Sequence, residues 1–316
     1  MRILHVVNWI NVRGTEKACL NIAKYSKDHE HTFLAHSLMS GEAMKEFESY
    51  GEVVITLEDP AGSFNYPVVP ELVKDREIDL VHIYLPGDDL PAYVQDLTVP
   101  IVLTVVCTKP CNFGNFGRTL FKEVLVPSRY AQSLNPHLNP TVIPYGVDRI
   151  EPDTGRKAFY KKFLGIRSSE KATVVSRIGA IEPIKHPQDF IAVANYLREN
   201  KNLYFVMAGK GEAEYVDYLR SHVESKNFIY KGEVTEQEKA NLLEHTDVYL
   251  YPTEFEAFGF SLVEPMSHGV PVITYNNTAL EEVVGDGGIC VPDNDLGALT
   301  RKLGFLLSHP IERIEL

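Results

Sequence analysis

The sequence predicts an α/β protein of two Rossmann-like, doubly wound parallel-sheet domains facing a cleft. Two observations carry this. Short β-branched runs alternate with amphipathic segments of helical period along the whole chain, and the alternation is interrupted by proline, glycine and charge near Val147 to Gly155. The halves, 1–150 and 151–316, each have the size of one doubly wound domain.

The runs in the first half are RILHVV, HTFLAH, VVITL, DLVHIYL, IVLTVVC, VLVPS and TVIPY. ATVVSRI, LYFVMAG, NFIYKG, VYLYP, PVITY and GICVP follow in the second. Runs this apolar read as strands buried on both faces, which is the habit of parallel sheets. Between them EKACLNIAKYSK, HPQDFIAVANYLREN, EQEKANLLEHT and LGALTRKLGFLL place apolar residues on one helical face, so crossover helices are expected. Thr235 and Glu238 have the spacing of a capping box and mark a helix start.

Composition narrows the partners. A net charge of -12 and a sequence pI near 5.4, without a run of cations among aromatics, argue against nucleic acid. A small anion such as a nucleotide diphosphate needs only a few local cations and helix amides, so it stays open. Four cysteines, Cys19, Cys107, Cys111 and Cys290, are too few and scattered for a disulfide framework, which suits a reducing, cytoplasmic compartment. MRILHVV reads as a buried strand rather than a leader, no segment has the length of a membrane span, and membrane contact is not indicated.

Three stretches hold candidate chemistry. In EFEAFGFSLVEPMSHGVPVI, Glu256 lies in a loop after a strand, and Gly259, Phe260 and Ser261 open a helix that carries Glu264. Helix-opening amides hold phosphates or sugar hydroxyls, and a carboxylate such as Glu264 accepts hydrogen bonds from a ribose diol. The alternative is that Glu256 solvates its loop while Glu264 bridges to a neighbour. In SRIGAIEPIKHPQDF, Arg177 and Lys185 are expected to project from the same sheet edge, where cations neutralise a diphosphate leaving group; two solvated surface cations is the alternative. In NVRGTEKACLNIAK, Gly14 opens the first helix, a loose match to a phosphate-binding turn.

These residues carry a resemblance. EAFGFSLVEPMSHGVPVI is similar to the E-x7-E signature of retaining glycosyltransferases of the GT-B fold, family 4, also called glycosyl transferases group 1. The usual form of that signature runs E-G-x-G-x-x-x-x-E-A-M-A-x-G-x-P-V-I. RGTEKACLNIA, VLVPSRYAQSL, VIPYGVD, FVMAGKGE and GGICVPDNDLGALTRKL fall in the family's order over nearly the whole chain. The resemblance implies a C-terminal domain that binds a nucleotide-activated sugar and an N-terminal domain on the acceptor side. Glu264 would hold the ribose, Glu256 with the amides at Phe260 and Ser261 the donor sugar and phosphate, and Arg177 with Lys185 the diphosphate. Gly14 would approach the diphosphate from the other domain, and Val234 would meet the base through its backbone. His82 matches a family histidine at the tip of its strand, although a strand-end histidine is more often a packing residue. The resemblance implies no metal and no cofactor, only the nucleotide-diphosphate sugar as substrate and a carbohydrate or lipid-linked acceptor.

The chain also departs from the family pattern. Arg13 replaces the first glycine of the paired turn, no histidine stands near Val106, and the interval from Arg177 to Lys185 is long. The sequence stops at HPIERIEL, before helices that in the family cross back to the N-terminal domain. A binding protein without turnover is therefore the alternative to an enzyme. Asp293-Asn294-Asp295 offers the D-x-D of a metal-dependent transferase, but Asp295 is better read as a helix N-cap. Phe113, Phe116 and Phe121 stand in a loop that packs on itself or stacks an acceptor sugar.

Overall fold

In the computed structural model, residues 1–11, 14–38, 41–56, 66–85, 90–106, 109–111, 118–165 and 172–309 are described. The expectations for Arg13, Cys107, Phe113 and Phe116 lie outside these residues. The chain divides into two compact units, Met1–Gly146 and Val147–Leu316.

The N-terminal unit runs β1 (Arg2–Val6), β2 (Trp9–Ile10), α1 (Gly14–Tyr25), β3 (Glu30–Ala35), β4 (Ser37–Leu38), α2 (Gly41–Glu48), β5 (Glu52–Ile55), α3 (Val69–Asp75), β6 (Leu80–Leu85), β7 (Ile101–Val105), β8 (Glu123–Val126), α4 (Arg129–Leu134) and β9 (Thr141–Val142). Its main sheet is seven-stranded in the order β5-β3-β1-β6-β7-β8-β9, and β2 pairs β4 separately. Every ladder is parallel. The central strands β1, β3 and β6 are buried along almost their whole length, whereas the edge strands β5 and β9 are not. That gradient explains why RILHVV and DLVHIYL carry hydrophobic runs without polar alternation.

The C-terminal unit continues with α5 (Arg156–Phe159, prolonged by a π-helical turn over Tyr160–Leu164), β10 (Thr173–Ile178), α6 (Pro187–Tyr196), β11 (Leu203–Ala208), α7 (Ala213–Ser221), β12 (Phe228–Tyr230), α8 (Glu236–Glu244), β13 (Val248–Leu250), α9 (Phe260–Ser267), β14 (Val272–Asn276), α10 (Leu280–Val284), β15 (Gly288–Pro292) and α11 (Leu296–Ser308). Its six-stranded, wholly parallel sheet has the order β12-β11-β10-β13-β14-β15. Thr235 and Glu238 form the expected capping box at the start of α8, and Asp295 caps α11 by accepting from the Ala298 amide at 2.8 Å.

This order is that of a doubly wound dinucleotide-binding sheet. The chain leaves β10 toward β11 on one side and later returns to β13 on the other. Such a reversal leaves a crevice beyond the carboxyl ends of the two strands, the place where open α/β sheets bind ligands. Glycines let the neighbouring backbones close up there. A Cβ on Gly209, where φ is +139°, would lie 1.8 Å from the Gly179 carbonyl oxygen, so only glycine fits after β11.

The N-terminal sheet buries a polar chain across its middle. His5 on β1 meets His31 on β3 (3.0 Å), Tyr84 on β6 lies between His5 (3.4 Å) and His82 (3.1 Å), and His82 meets the Thr104 hydroxyl on β7 (2.7 Å). Buried polar groups are tolerated where they are paired in this way.

Candidate functional site

The candidate site lies where β10 and β13 diverge. The segment after β10 turns at Gly179 and reaches Lys185 and His186, and Pro187 then starts α6. The segment after β13 carries Tyr251, Glu254 and Glu256 to Gly259, whose φ of +101° starts α9. A side chain would be strained in that conformation, which is why the sequence breaks between Phe258 and Phe260 with glycine. The two segments are tied together, since the Glu254 amide donates to the Ile184 carbonyl at 2.9 Å.

Lys185 and Glu256 meet across this junction. The Lys185 Nζ donates to Glu256 Oε1 at 2.6 Å and to the Phe255 carbonyl at 3.2 Å, with both side chains 17% exposed. Burial pulls the Lys185 ammonium down, but Glu256, with Tyr251 and Glu182, outweighs it and the group is held above its ordinary value. Lys185 is therefore a fixed cation near neutral pH. An ammonium has three protons, and these two contacts use two of them.

Arg177 requires a correction. It was expected to project from the sheet edge, yet it lies within β10 and is fully buried. Its Nη2 donates to the carbonyls of Ala180 (3.1 Å) and Lys185 (3.0 Å), and its guanidinium lies 5.1 Å from the centre of the Tyr251 ring. The loop after β10 wraps back over its own strand, so a strand-end cation becomes the support on which that loop rests. Both ends of the Lys185 segment are thus held by one guanidinium.

The α9 end of the site contains Phe260, Ser261 and Glu264. A Cβ at Gly179 would come within 2.8 Å of the Tyr251 hydroxyl and 3.3 Å of the Ser261 hydroxyl, so all three groups meet at the mouth of β10. The first turn of an eight-residue helix there presents amides and the positive end of its dipole. Glu264, one turn further in, pairs with Lys239 of α8 at 3.1 Å. Val234 precedes the α8 cap Thr235 and packs against the buried cluster that includes Phe159, Val206 and Leu242, after a turn at Gly232 with φ of +69°. Lys185, Glu256, Gly259, Phe260 and Ser261 thus come together, while Glu264 and Val234 stand toward α8.

Two expected residues belong to the other unit. Gly14 opens α1 after β2 and is exposed. His82 is not at a strand tip: it is the third residue of β6, buried, with both ring nitrogens partnered, and burial pushes it down to about 3. It is a packing residue in the histidine chain, because its strand continues past it for a further turn of the pleat. Phe121, the described member of the phenylalanine loop, is also buried.

The D-x-D is engaged in turn contacts. Asp293 accepts from the side-chain amides of Asn277 (2.7 Å) and Asn294 (3.1 Å), and Asp295 caps α11. Among the described residues no group of three or more His, Cys, Asp or Glu gathers as metal ligands, and no helix is long and apolar enough to cross a membrane.

Sequence reasoning missed Lys239 and Tyr251. Lys239 lies on a helix whose amphipathic pattern was read for its apolar face alone. Tyr251 belongs to VYLYP, read only as an apolar strand.

Comparison with known proteins bears on this geometry. Residues 160–316 match the family described as glycosyl transferases group 1. The match covers nearly all of the C-terminal unit and none of the N-terminal one. The O-antigen chain mannosyltransferase B of Escherichia coli is 39% identical over 71 residues, which are 22% of this chain and 19% of that protein. The 2-deoxystreptamine N-acetyl-D-glucosaminyltransferase of Streptomyces fradiae is 25% identical over 264 residues, 72% of this chain and 62% of that one. The chain thus covers less than two thirds of the length of either relative. A crystal structure of Anabaena Alr3699/HepE in complex with UDP and glucose has the same fold, with a TM-score of 0.76 at 17% identity over 100% of this chain and 92% of that one. Both parallel-sheet units of this chain therefore follow the GT-B fold.

Proposed function

We propose that this chain is a retaining, metal-independent glycosyltransferase that moves a sugar from a nucleotide-diphosphate sugar to a carbohydrate or lipid-linked acceptor. The observation that carries the proposal is the Lys185–Glu256 pair at the switch point of the C-terminal sheet, beside the amino end of α9. The Lys185 cation and the helix amides at this strand mouth suit the diphosphate of such a donor, the Glu256 carboxylate suits its sugar hydroxyls, and Glu264, one turn into α9, suits its ribose. The Anabaena structure, named for bound UDP and glucose, supports the same class of ligand.

In this mechanism the diphosphate lies between Lys185 and the amides of Phe260 and Ser261. The bond from the anomeric carbon to the diphosphate oxygen breaks and its electron pair stays on the diphosphate, where Lys185 meets the growing charge. The acceptor hydroxyl adds to the anomeric carbon on the same face, and its proton passes to the departing diphosphate. Glu256 orients the sugar hydroxyls and fixes the Lys185 ammonium. Arg177 acts by holding the Lys185 segment. Glu264 accepts from the ribose diol, and Val234 borders the base.

The test is release of nucleoside diphosphate from UDP-, GDP- and ADP-sugars, with and without acceptor sugars, in excess chelator. At least one donor is expected to be consumed, at a rate the chelator leaves unchanged. Loss of activity in chelator, restored by manganese, would overturn metal independence. Tight donor binding without release of diphosphate would replace the enzyme by a binding protein.

A further inference from the structure

Lys239 is a partly buried cation that the mechanism above does not use. It closes the first turn of α8 with its side chain 13% exposed, between two carboxylates: Glu236 of its own helix at 2.7 Å and Glu264 of α9 at 3.1 Å. Burial pulls its ammonium down, and Glu264 and then Glu236 more than restore it, so it stays charged at neutral pH. Glu236 is half-exposed, as expected of an ordinary helix-surface pair. Glu264 is 15% exposed and bound across two helices, a costlier arrangement that needs another reason.

Geometry supplies one. Glu264 sits one turn into α9, on a helix that must accommodate Pro265 immediately after it. A glutamate side chain has three rotatable bonds, and a carboxylate that is to receive two adjacent hydroxyls must stand in one rotamer before they arrive. The α8 capping box fixes the first turn from which Lys239 projects, and Lys239 then fixes Glu264. Two oxygens on one carboxylate offer about four acceptor sites, so a bond from Lys239 leaves room for a diol.

We infer that Lys239 is a positioning residue for ribose recognition, holding the Glu264 carboxylate in the orientation that selects ribonucleotides over 2′-deoxyribonucleotides. The inference rests on the donor-site reading of Glu264. It assigns the choice between ribose and deoxyribose to a pair of helices rather than to Glu264 alone.

Calorimetric titration with UDP, GDP and ADP and with their 2′-deoxy counterparts tests it. The wild-type chain is expected to prefer the ribonucleotide that it binds by about 10- to 100-fold, the size of a hydrogen bond to a charged group. Lys239→Gln and Lys239→Met should bring that preference to within about threefold by weakening the ribonucleotide, while the deoxynucleotide keeps its affinity. Lys239→Arg should restore most of the preference. A merely structural role would weaken both ligands equally, and that result overturns the inference, as would tighter ribonucleotide binding by Lys239→Met. If neither neutral variant folds, Glu236→Gln decides: with the competing carboxylate gone the preference should be kept or increased, and a fall contradicts the proposal. Failure of the underlying reading looks different. There the wild type binds no nucleoside diphosphate, or Glu264→Gln leaves the preference intact.

Discussion

The two units place polar groups at comparable points of comparable sheets, with opposite outcomes. In the N-terminal unit, His5, His31, His82 and Tyr84 lie side by side within adjacent strands, each bonded to the next. In the C-terminal unit, Lys185 and Glu256 stand beyond the strands on segments that leave β10 and β13, and Arg177 anchors one of those segments from inside the sheet. Depth along the strand separates them. A polar side chain within a central parallel strand is enclosed on both faces, while one past the carboxyl end faces the crevice that the strand order opens. His82 and Arg177 show how short that distance is, since both looked like strand-end residues in the sequence.

The largest effect that would sharpen this contrast comes from Gly209→Ala. The new Cβ would meet the Gly179 carbonyl oxygen at 1.8 Å in a conformation that disfavours a side chain. A loss of at least about 3 kcal/mol, read by denaturant unfolding, is expected. Gly304→Ala on α11, where a Cβ has open space, should cost nothing and provides the control.

Lys185→Ala comes next. If the crevice is catalytic, charge grows on the diphosphate as the glycosidic bond breaks, so turnover should fall by about 10²-fold or more, beyond any loss of donor affinity. Equal losses in turnover and affinity would make Lys185 a binding group only. Smaller effects distinguish the two glutamates. Glu264→Ala should weaken free nucleotide and intact donor alike by about 1–3 kcal/mol, whereas Glu256→Ala should spare free nucleotide and weaken the intact donor or its turnover. Equal effects on free nucleotide would break the division of roles.

The histidine chain gives the counterpart in the N-terminal unit. His82 is held neutral by burial, at about 3 against an ordinary value near 6.5, and His5 is displaced in the same direction by burial and by His82 and His31. The unfolded chain then binds more protons below pH 6.5. The neutral pairings contribute fully above that pH, and stability is lost as the pH falls from about 6.5 toward 3, by at most about 1.4 kcal/mol per pH unit for each histidine. Acid titration of unfolding should show this slope, and His82→Gln should reduce it. An unchanged slope would show that His82 is not part of the acid sensitivity.

Much of the fold was legible in the sequence because burial on both faces leaves a plain signature. Every apolar run from RILHVV to GICVP became a strand, and the capping box at Thr235 and the N-cap at Asp295 stand where their side-chain chemistry put them. The short strands β2 and β4 were not seen, because two residues carry no periodicity. At the candidate site, residue type and spacing place Lys185, Glu256 and Gly259 to Ser261 in strand-end segments, and the structure brings these residues together. What escaped was three-dimensional. The fold of the loop after β10 back over Arg177 is made by backbone carbonyls that no side-chain pattern records. Lys239 reads as a helix-surface cation until α9 brings Glu264 against it.

Hydrogen exchange with and without a bound nucleoside diphosphate tests most directly whether the switch point of the C-terminal sheet is the donor site. Slowed exchange is expected over residues 179–186 and 254–264, with little change in the strands that hold His5 and His82. Protection confined to Met1–Gly146 would contradict the assignment and move the donor to the other unit.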